Sequence, residues 1–276
     1  MTSKFKNSQK GFTLVELAIV LVIIGLIVSG VLVGQDLIKA AELRATVRQH
    51  QSFQVGVNTF IGKYNGIPGD IDGDKFGLTG GCNGTANAGD GDGIIEDSAG
   101  AITLHDSEIS CFWSNLTTNG KELISGVYDG DEGAASATVN DVVGENLPKM
   151  KFGSRGWGVF FVGTDNYFTT GVIGANALDE YDTAEAFVPI DAFSVDSKID
   201  DGDPFSGDIQ ATDGQIIATP NPNLQAASAT FAAAEAAAPG TVNATSCANR
   251  ITSAPDEYQF TATTALCNLR FKMQTF

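Results

Sequence analysis

Histidine is scarce in this chain, and what there is stands alone. Only His50 and His105 occur among 276 residues, and neither sits in a metal-ligand spacing such as H-E-x-x-H. There is no G-x-S-x-G nucleophile, no phosphate loop and no dinucleotide fingerprint; doublets such as Gly80-Gly81 read as turn glycines. The four cysteines have no C-x-x-C spacing, which weakens a zinc or thioredoxin-like reading. Basic charge is short as well, with 16 Lys and Arg against 33 Asp and Glu, a formal net charge of −17. A surface so negative repels nucleic acid and anionic lipid, so no nucleic-acid partner is expected on the bulk of the chain. Together these absences point away from an enzyme.

The little basic charge there is lies unevenly. Residues 1–11 hold Lys4, Lys6 and Lys10 and no acid. The remainder has 13 basic against 33 acidic residues, a balance of −20. Directly after this start comes a long apolar run. Residues 17–35 carry no charge and include thirteen Leu, Ile or Val residues. At about 1.5 Å per residue, 19 helical residues span roughly 28 Å, close to a bilayer core. Each Leu, Ile or Val favours insertion by about 0.3–0.6 kcal/mol, roughly 4–8 kcal/mol in sum. The lysines precede the run and no basic residue follows until Lys39, so the positive-inside rule leaves the start in the cytoplasm and sends the rest across.

An ordinary secretory signal fits this segment poorly. Its apolar region would be about 7–15 residues and end at small residues. Here the run is longer, follows a glycine and carries an acid, Glu16, near its start. A carboxylate at the edge of hydrocarbon is costly and calls for a function. The run Lys10-Gly11-Phe12-Thr13-Leu14-Val15-Glu16 resembles the cleavage and methylation signature of the type IV prepilin family, which includes type II secretion pseudopilins. The resemblance implies cleavage by a prepilin peptidase after Gly11 and N-methylation of Phe12. It also implies a role for Glu16 in pairing with the amine of a neighbouring subunit. Implied partners are identical or related pilin subunits and an inner-membrane assembly machinery. Many family members carry proline where this chain has Val33, so the proline kink is expected to be absent. Gly30 and Gly34 form a G-x-x-x-G spacing that permits close helix approach or local unwinding.

Helical spacing continues beyond the apolar run through Leu43, Val47, Phe53, Val57, Phe60, Ile61 and Tyr64, with polar residues between. Gly66 and Pro68 are expected to end it. His50 on this helix is expected to be a polar surface residue. Together with the resemblance, these patterns imply a cleaved leader at 1–11, a membrane and filament-core helix at 12–35, an amphipathic continuation at 36–66 and a globular head at 67–276. The resemblance implies a head in the periplasm while the chain is in the inner membrane, and then an extracytoplasmic filament.

Within the head, Asp106 or Ser107 is placed to cap a helix bearing Ile109, Trp113 and Leu116. Residues 121–128 are expected to add Leu123, Ile124 and Val127 to the same core. Residues 157–162 and 167–173 read as a hairpin with a four-residue connection at 163–166. Residues 258–264 and 266–273 read as further strands. Residues 224–238 are alanine-rich, a surface helix or a low-complexity linker. The expected fold is α+β and pilin-like: the long helix packed on an antiparallel sheet, with long acidic glycine-rich loops.

The cysteine count fits two disulfides outside the cytoplasm, and spacing favours Cys82 with Cys111 and Cys247 with Cys267 among three pairings. Buried free thiols are the alternative. By resemblance, the second pair would staple a C-terminal loop to the sheet, as in many type IV pilins. Three acidic segments suggest Ca²⁺: Asp70, Asp72 and Asp74; Asp90, Asp92 and Glu96 with Asp97; and Asp200, Asp201 and Asp203 near Asp196 and Asp208. The set Asp90, Asp92 and Glu96 is the leading candidate. None matches the EF-hand loop, and Asp-Gly runs also form ordinary turns.

Overall fold

The computed structural model describes residues 12–71, 89, 91–95, 108–117, 122–128, 143–145, 147–162, 164–175, 181–183, 185–213, 247–249 and 257–275. Two compact units divide the chain, one up to Glu42 and the other from Leu43 to Phe276. Helix α1 is Leu14–Tyr64, 51 residues, and contributes to both.

In the first unit, α1 carries no charge from residue 17 to 35, and its large apolar side chains are exposed among the described residues. Leu14, Leu17, Leu26, Leu32 and Leu37 are each at least half exposed, as are the intervening valines and isoleucines. The helix runs without interruption through Gly30, Val33 and Gly34, as the missing proline predicts. No neighbouring atom lies within 4 Å of the Cβ position at Gly25, Gly30 or Gly34.

The head is built on the second part of α1. Leu43, Phe53, Val57, Phe60 and Tyr64 face the core, at the spacing the pattern predicts. The helix ends at Asn65, which takes the left-handed conformation (φ 56°) while its N–H returns to the Ile61 carbonyl at 2.7 Å. Gly66 therefore serves a different purpose from the expected one. A Cβ there would lie 1.9 Å from the Ile71 side chain, so its role is close approach.

Short helix α2, Glu108–Thr117, buries Phe112, Trp113 and Leu116. Its expected caps, Asp106 and Ser107, lie outside the described residues. After it, Ile124 joins the core, but Val127 is 73% exposed and does not. The chain there bends instead of continuing as a helix, so side chains alternate between core and solvent over a few residues.

Strands β1 (Gly156–Val162), β2 (Asp165–Ala175) and β3 (Tyr181–Thr183) precede helix α3 (Pro189–Ile199) and strand β4 (Ile209–Asp213). Two-residue strands β5 (Ala248–Asn249) and β6 (Glu257–Tyr258) pair with each other, and β7 (Cys267–Lys272) returns to the main sheet. That sheet is an antiparallel four-strand path, β1-β2-β7-β4, with β3 pairing the far end of β2. The hairpin β1–β2 forms as predicted, but Asp165 pairs with Val162, leaving two residues between the strands instead of four. The strand expected at 258–264 shrinks to β6. Helix α3 and strand β4 carry no periodic apolar pattern and emerge only here.

One sheet face, made of Trp157, Val159, Phe168, Leu269, Phe271 and Ile209, lies in the same core as α1. Phe53 anchors the junction, with its ring edge-on to Trp113 (5.0 Å) and Trp157 (5.6 Å). Polar side chains on α1 fix the docking. Gln49 donates to the Lys149 carbonyl (2.8 Å) and accepts from Trp157 Nε1 (3.0 Å) and Lys151 N (3.2 Å). Gln54 exchanges two hydrogen bonds with the backbone of Gln274.

His50 corrects the surface expectation. Its ring lies 4.5 Å from that of Phe271, 5.5 Å from Phe168 and 6.3 Å from Trp157. Both ring nitrogens are buried and without a hydrogen-bond partner among the described residues. Burial pushes its pKa down from 6.5 to about 4, so the imidazole is neutral at pH 7. Its position one turn before Phe53 turns it toward the aromatic face, which outweighs its polarity.

The disulfide Cys247–Cys267 forms as predicted, with Cα atoms 4.9 Å apart, tying the segment before β5 to the start of β7. Closing a loop with this sequence separation of 20 residues stabilises the head by about 3 kcal/mol in the chain-entropy picture. Cys111 is buried and disulfide-bonded. Cys82, its expected partner, lies outside the described residues, as do residues 224–238.

Candidate functional site: the N-terminal assembly helix

The first turn of α1 contains a reciprocal arrangement of two side chains. One carboxylate oxygen of Glu16, Oε2, accepts from the Thr13 backbone N–H and from the Thr13 hydroxyl, both at 2.8 Å. Thr13 Oγ1 accepts in turn from the Glu16 N–H at 3.3 Å. This is a capping box: the two side chains satisfy donors that the helix start would otherwise leave open. An anion in the first turn also complements the positive end of the helix dipole. Phe12, directly before the cap, is 90% exposed. Gly11 lies outside the described residues.

Sequence reasoning singled out Phe12 and Glu16 but passed over Thr13. The signal was present, since Thr13-Leu14-Val15-Glu16 fits the T-x-x-E spacing of a capping box. The box holds the Glu16 carboxylate at the helix start, close to the backbone that follows Phe12.

The rest of the site is the apolar surface behind it. Eighteen large apolar residues from Phe12 to Ile38 are at least half exposed in the single chain. At about 1.5–3 kcal/mol per side chain, covering them is worth on the order of 30 kcal/mol. That exceeds the total stability of a typical domain, about 5–15 kcal/mol, so water is not the environment of this segment. Its length and composition suffice to cross a bilayer.

Residues 6–32 match the prokaryotic N-terminal methylation motif, the signature of type IV prepilins and pseudopilins. No curated protein and no solved structure matches the chain. The motif identifies the N-terminal segment as prepilin-type, and the long helix followed by an antiparallel sheet is the α+β pilin-like arrangement. That signature is structural and is not the mark of an enzyme family. The motif implies processing by a prepilin peptidase and assembly with other pilin subunits. Motif and apolar helix together fit anchoring in the inner membrane followed by a surface filament.

Among the acidic segments, the one brought together among the described residues is the third. Carboxylate oxygens of Asp196, Asp200 and Asp201 lie within 4.8 Å of one another. Asp196 is fully buried at the end of α3, where it accepts from the Tyr258 hydroxyl (2.7 Å) and the Gly202 N–H (3.3 Å). Burial raises its pKa from 3.8 to about 7, against the lowering effect of those two hydrogen bonds. Of the leading set, only Asp92 is described. It is exposed, with Oδ1 accepting from Ile94 N–H (2.8 Å) as in an ordinary Asx turn. Asp90 and Glu96 lie outside the described residues. The buried carboxylate beside that loop is Asp70, which accepts from the N–H groups of Gly91 (2.9 Å) and Gly93 (3.0 Å).

Proposed function

We propose that this chain is a structural subunit of a type IV pilus-like filament outside the cytoplasm. It enters the inner membrane as a prepilin with its head in the periplasm. It is cut after Gly11, methylated at Phe12 and assembled through α1, with Glu16 facing the amine of a neighbouring copy. The observation that carries this reading is the uncovered apolar half of α1, headed by the methylation motif. In the filament, neighbouring helices replace lipid around it, and a carboxylate facing an amine is compensated where a lone one is not. The head is read as structural, with no catalytic role. Ca²⁺ on the acidic loops belongs to the same proposal. Calorimetry on EGTA-stripped protein tests it, and no thermal shift at millimolar Ca²⁺ removes it.

Mass spectrometry of sheared filaments tests the main reading. Expected are a chain beginning at methylated Phe12 and loss of fibres in Glu16→Ala with the subunit still in the membrane. A retained leader, or normal incorporation of Glu16→Ala, would sink it. A type II secretion pseudopilin or a tip-located binding subunit would carry the same signature. Glu16 favours a place in the shaft, and fibre length and subunit abundance at native expression distinguish the three.

A further inference from the structure

Basic residues are few on the head, yet five of them gather at one junction. Arg44 and Arg48 stand one turn apart on α1, with Arg48 Nε donating to the Arg44 carbonyl (3.3 Å). The adjacent Gln49 holds the loop at 149–155 to the helix through Lys149 O (2.8 Å) and Lys151 N (3.2 Å). That loop closes on itself where Met150 N–H donates to the Arg155 carbonyl (2.8 Å). Arg44, Arg48, Lys149 and Lys151 are exposed and Arg155 is half-buried. None of the five is ion-paired among the described residues.

Carboxylates gather as densely in the turn between α3 and β4. Asp200, Asp201, Asp203 and Asp208 fall within nine residues that contain no basic side chain. The turn is fixed by its own hydrogen bonds, from Asp203 N–H (2.9 Å) and the Ser206 hydroxyl (2.8 Å) to Asp201, and from Ile209 N–H (2.9 Å) to Asp200. Among the described residues no salt bridge reaches Asp200, Asp201 or Asp203, while Asp208 lies within the field of Lys272.

Copies with a formal charge of −20 repel when packed closer than the screening length, about 8 Å at physiological salt. Beside the covering of α1, an attractive contact between unlike surfaces of neighbouring heads would offset this repulsion locally. Two different patches on one molecule make a heterologous contact, which propagates along a helical array instead of closing a dimer. We propose that the cationic junction of one copy, Arg44, Arg48, Lys149, Lys151 and Arg155, docks on the acidic turn at 200–208 of the next. This rests on the filament-subunit reading above.

Charge reversal in the full-length chain, expressed in filament-forming cells, tests it. Arg44→Glu with Arg48→Glu, and separately Asp201→Lys with Asp203→Lys, are each expected to lower filament yield about tenfold or more. Processing after Gly11 and the Cys247–Cys267 bond should stay intact. A chain carrying all four changes, or co-expression of the two variants, is expected to recover to within about threefold of the parent, because complementarity is restored. Lys149→Glu with Lys151→Glu, on an exposed loop, provides a second reversal and should show the same loss. Parental yield in either junction variant, or no recovery in the four-fold swap, overturns the proposal. So does loss of contact with phosphatidylglycerol vesicles at unchanged filament yield, which would assign the junction to lipid. If the parent itself forms no filament and Glu16→Ala changes nothing, the filament reading fails first and this contact with it.

Discussion

The two parts of α1 are one helix by backbone and two different devices by surface. From residue 17 to 35 it carries no charge and its large apolar side chains are exposed; from Leu43 it is one-sided, with Phe53, Val57 and Phe60 at or near zero exposure. Helical structure alone thus says nothing about where a side chain's free energy is realised. In the head part, burial stabilises the fold of a single copy. In the first part, the same residue types contribute only when lipid or another copy covers them.

Substitutions can break this comparison. The largest effect is expected at the cleavage point, where Gly11→Ala or a bulkier residue should abolish processing, read as an uncut chain on a gel. Next is Phe53→Ala, which should cost the head about 3–5 kcal/mol through the cavity left among Trp113, Trp157 and Phe168. Ile23→Ala should leave head unfolding unchanged, since that side chain is half exposed and takes no part in the head's core. A matching loss there would refute the division. Reducing Cys247–Cys267, or replacing both with serine, should cost about 3 kcal/mol by denaturant unfolding. Smaller still, Thr13→Ala removes one side of the capping box and should destabilise the helix start by about 1 kcal/mol, leaving head stability unchanged.

Two buried groups in the head sharpen the picture by pH. His50 binds fewer protons folded than unfolded between about 4 and 6.5, so its contribution makes stability rise with pH across that window. Asp196 binds more protons folded than unfolded between 3.8 and about 7, so its contribution makes stability fall with pH. The slopes oppose each other. Asp196→Asn should expose the rising one and His50→Gln the falling one in melts from pH 4 to 7.5. Identical profiles for both variants would show that neither group titrates as its surroundings dictate.

Much of the head was legible only in part. Leu43, Phe53, Val57, Phe60 and the β1–β2 hairpin could be read because apolar spacing or a two-fold aromatic and β-branched run marks one buried face. Helix α3 could not be, since its buried residues include Asp191 and Asp196. Strand β7 alternates poorly because it is central, with Cys267, Asn268, Leu269, Arg270 and Phe271 all buried. Arg270 is tolerated there by its bond to Gln210 (2.8 Å) and its place over the Tyr167 ring. Such compensation depends on partners about 60 and 100 residues away, and no local pattern signals it.

What the sequence determined by itself is the N-terminal device. The basic start, the motif around Gly11, Phe12 and Glu16 and an uninterrupted apolar run are matters of local spacing and bulk solvent, so reading them needs no tertiary contact. The tertiary structure decided what depends on distant partners. It put His50 in an aromatic cluster, made Asp196 the buried acid beside Tyr258, and set a cationic junction around Gln49 by folding residue 149 back onto α1. Burial and pairing are properties of neighbours in space, and in the head most of those neighbours are far apart along the chain.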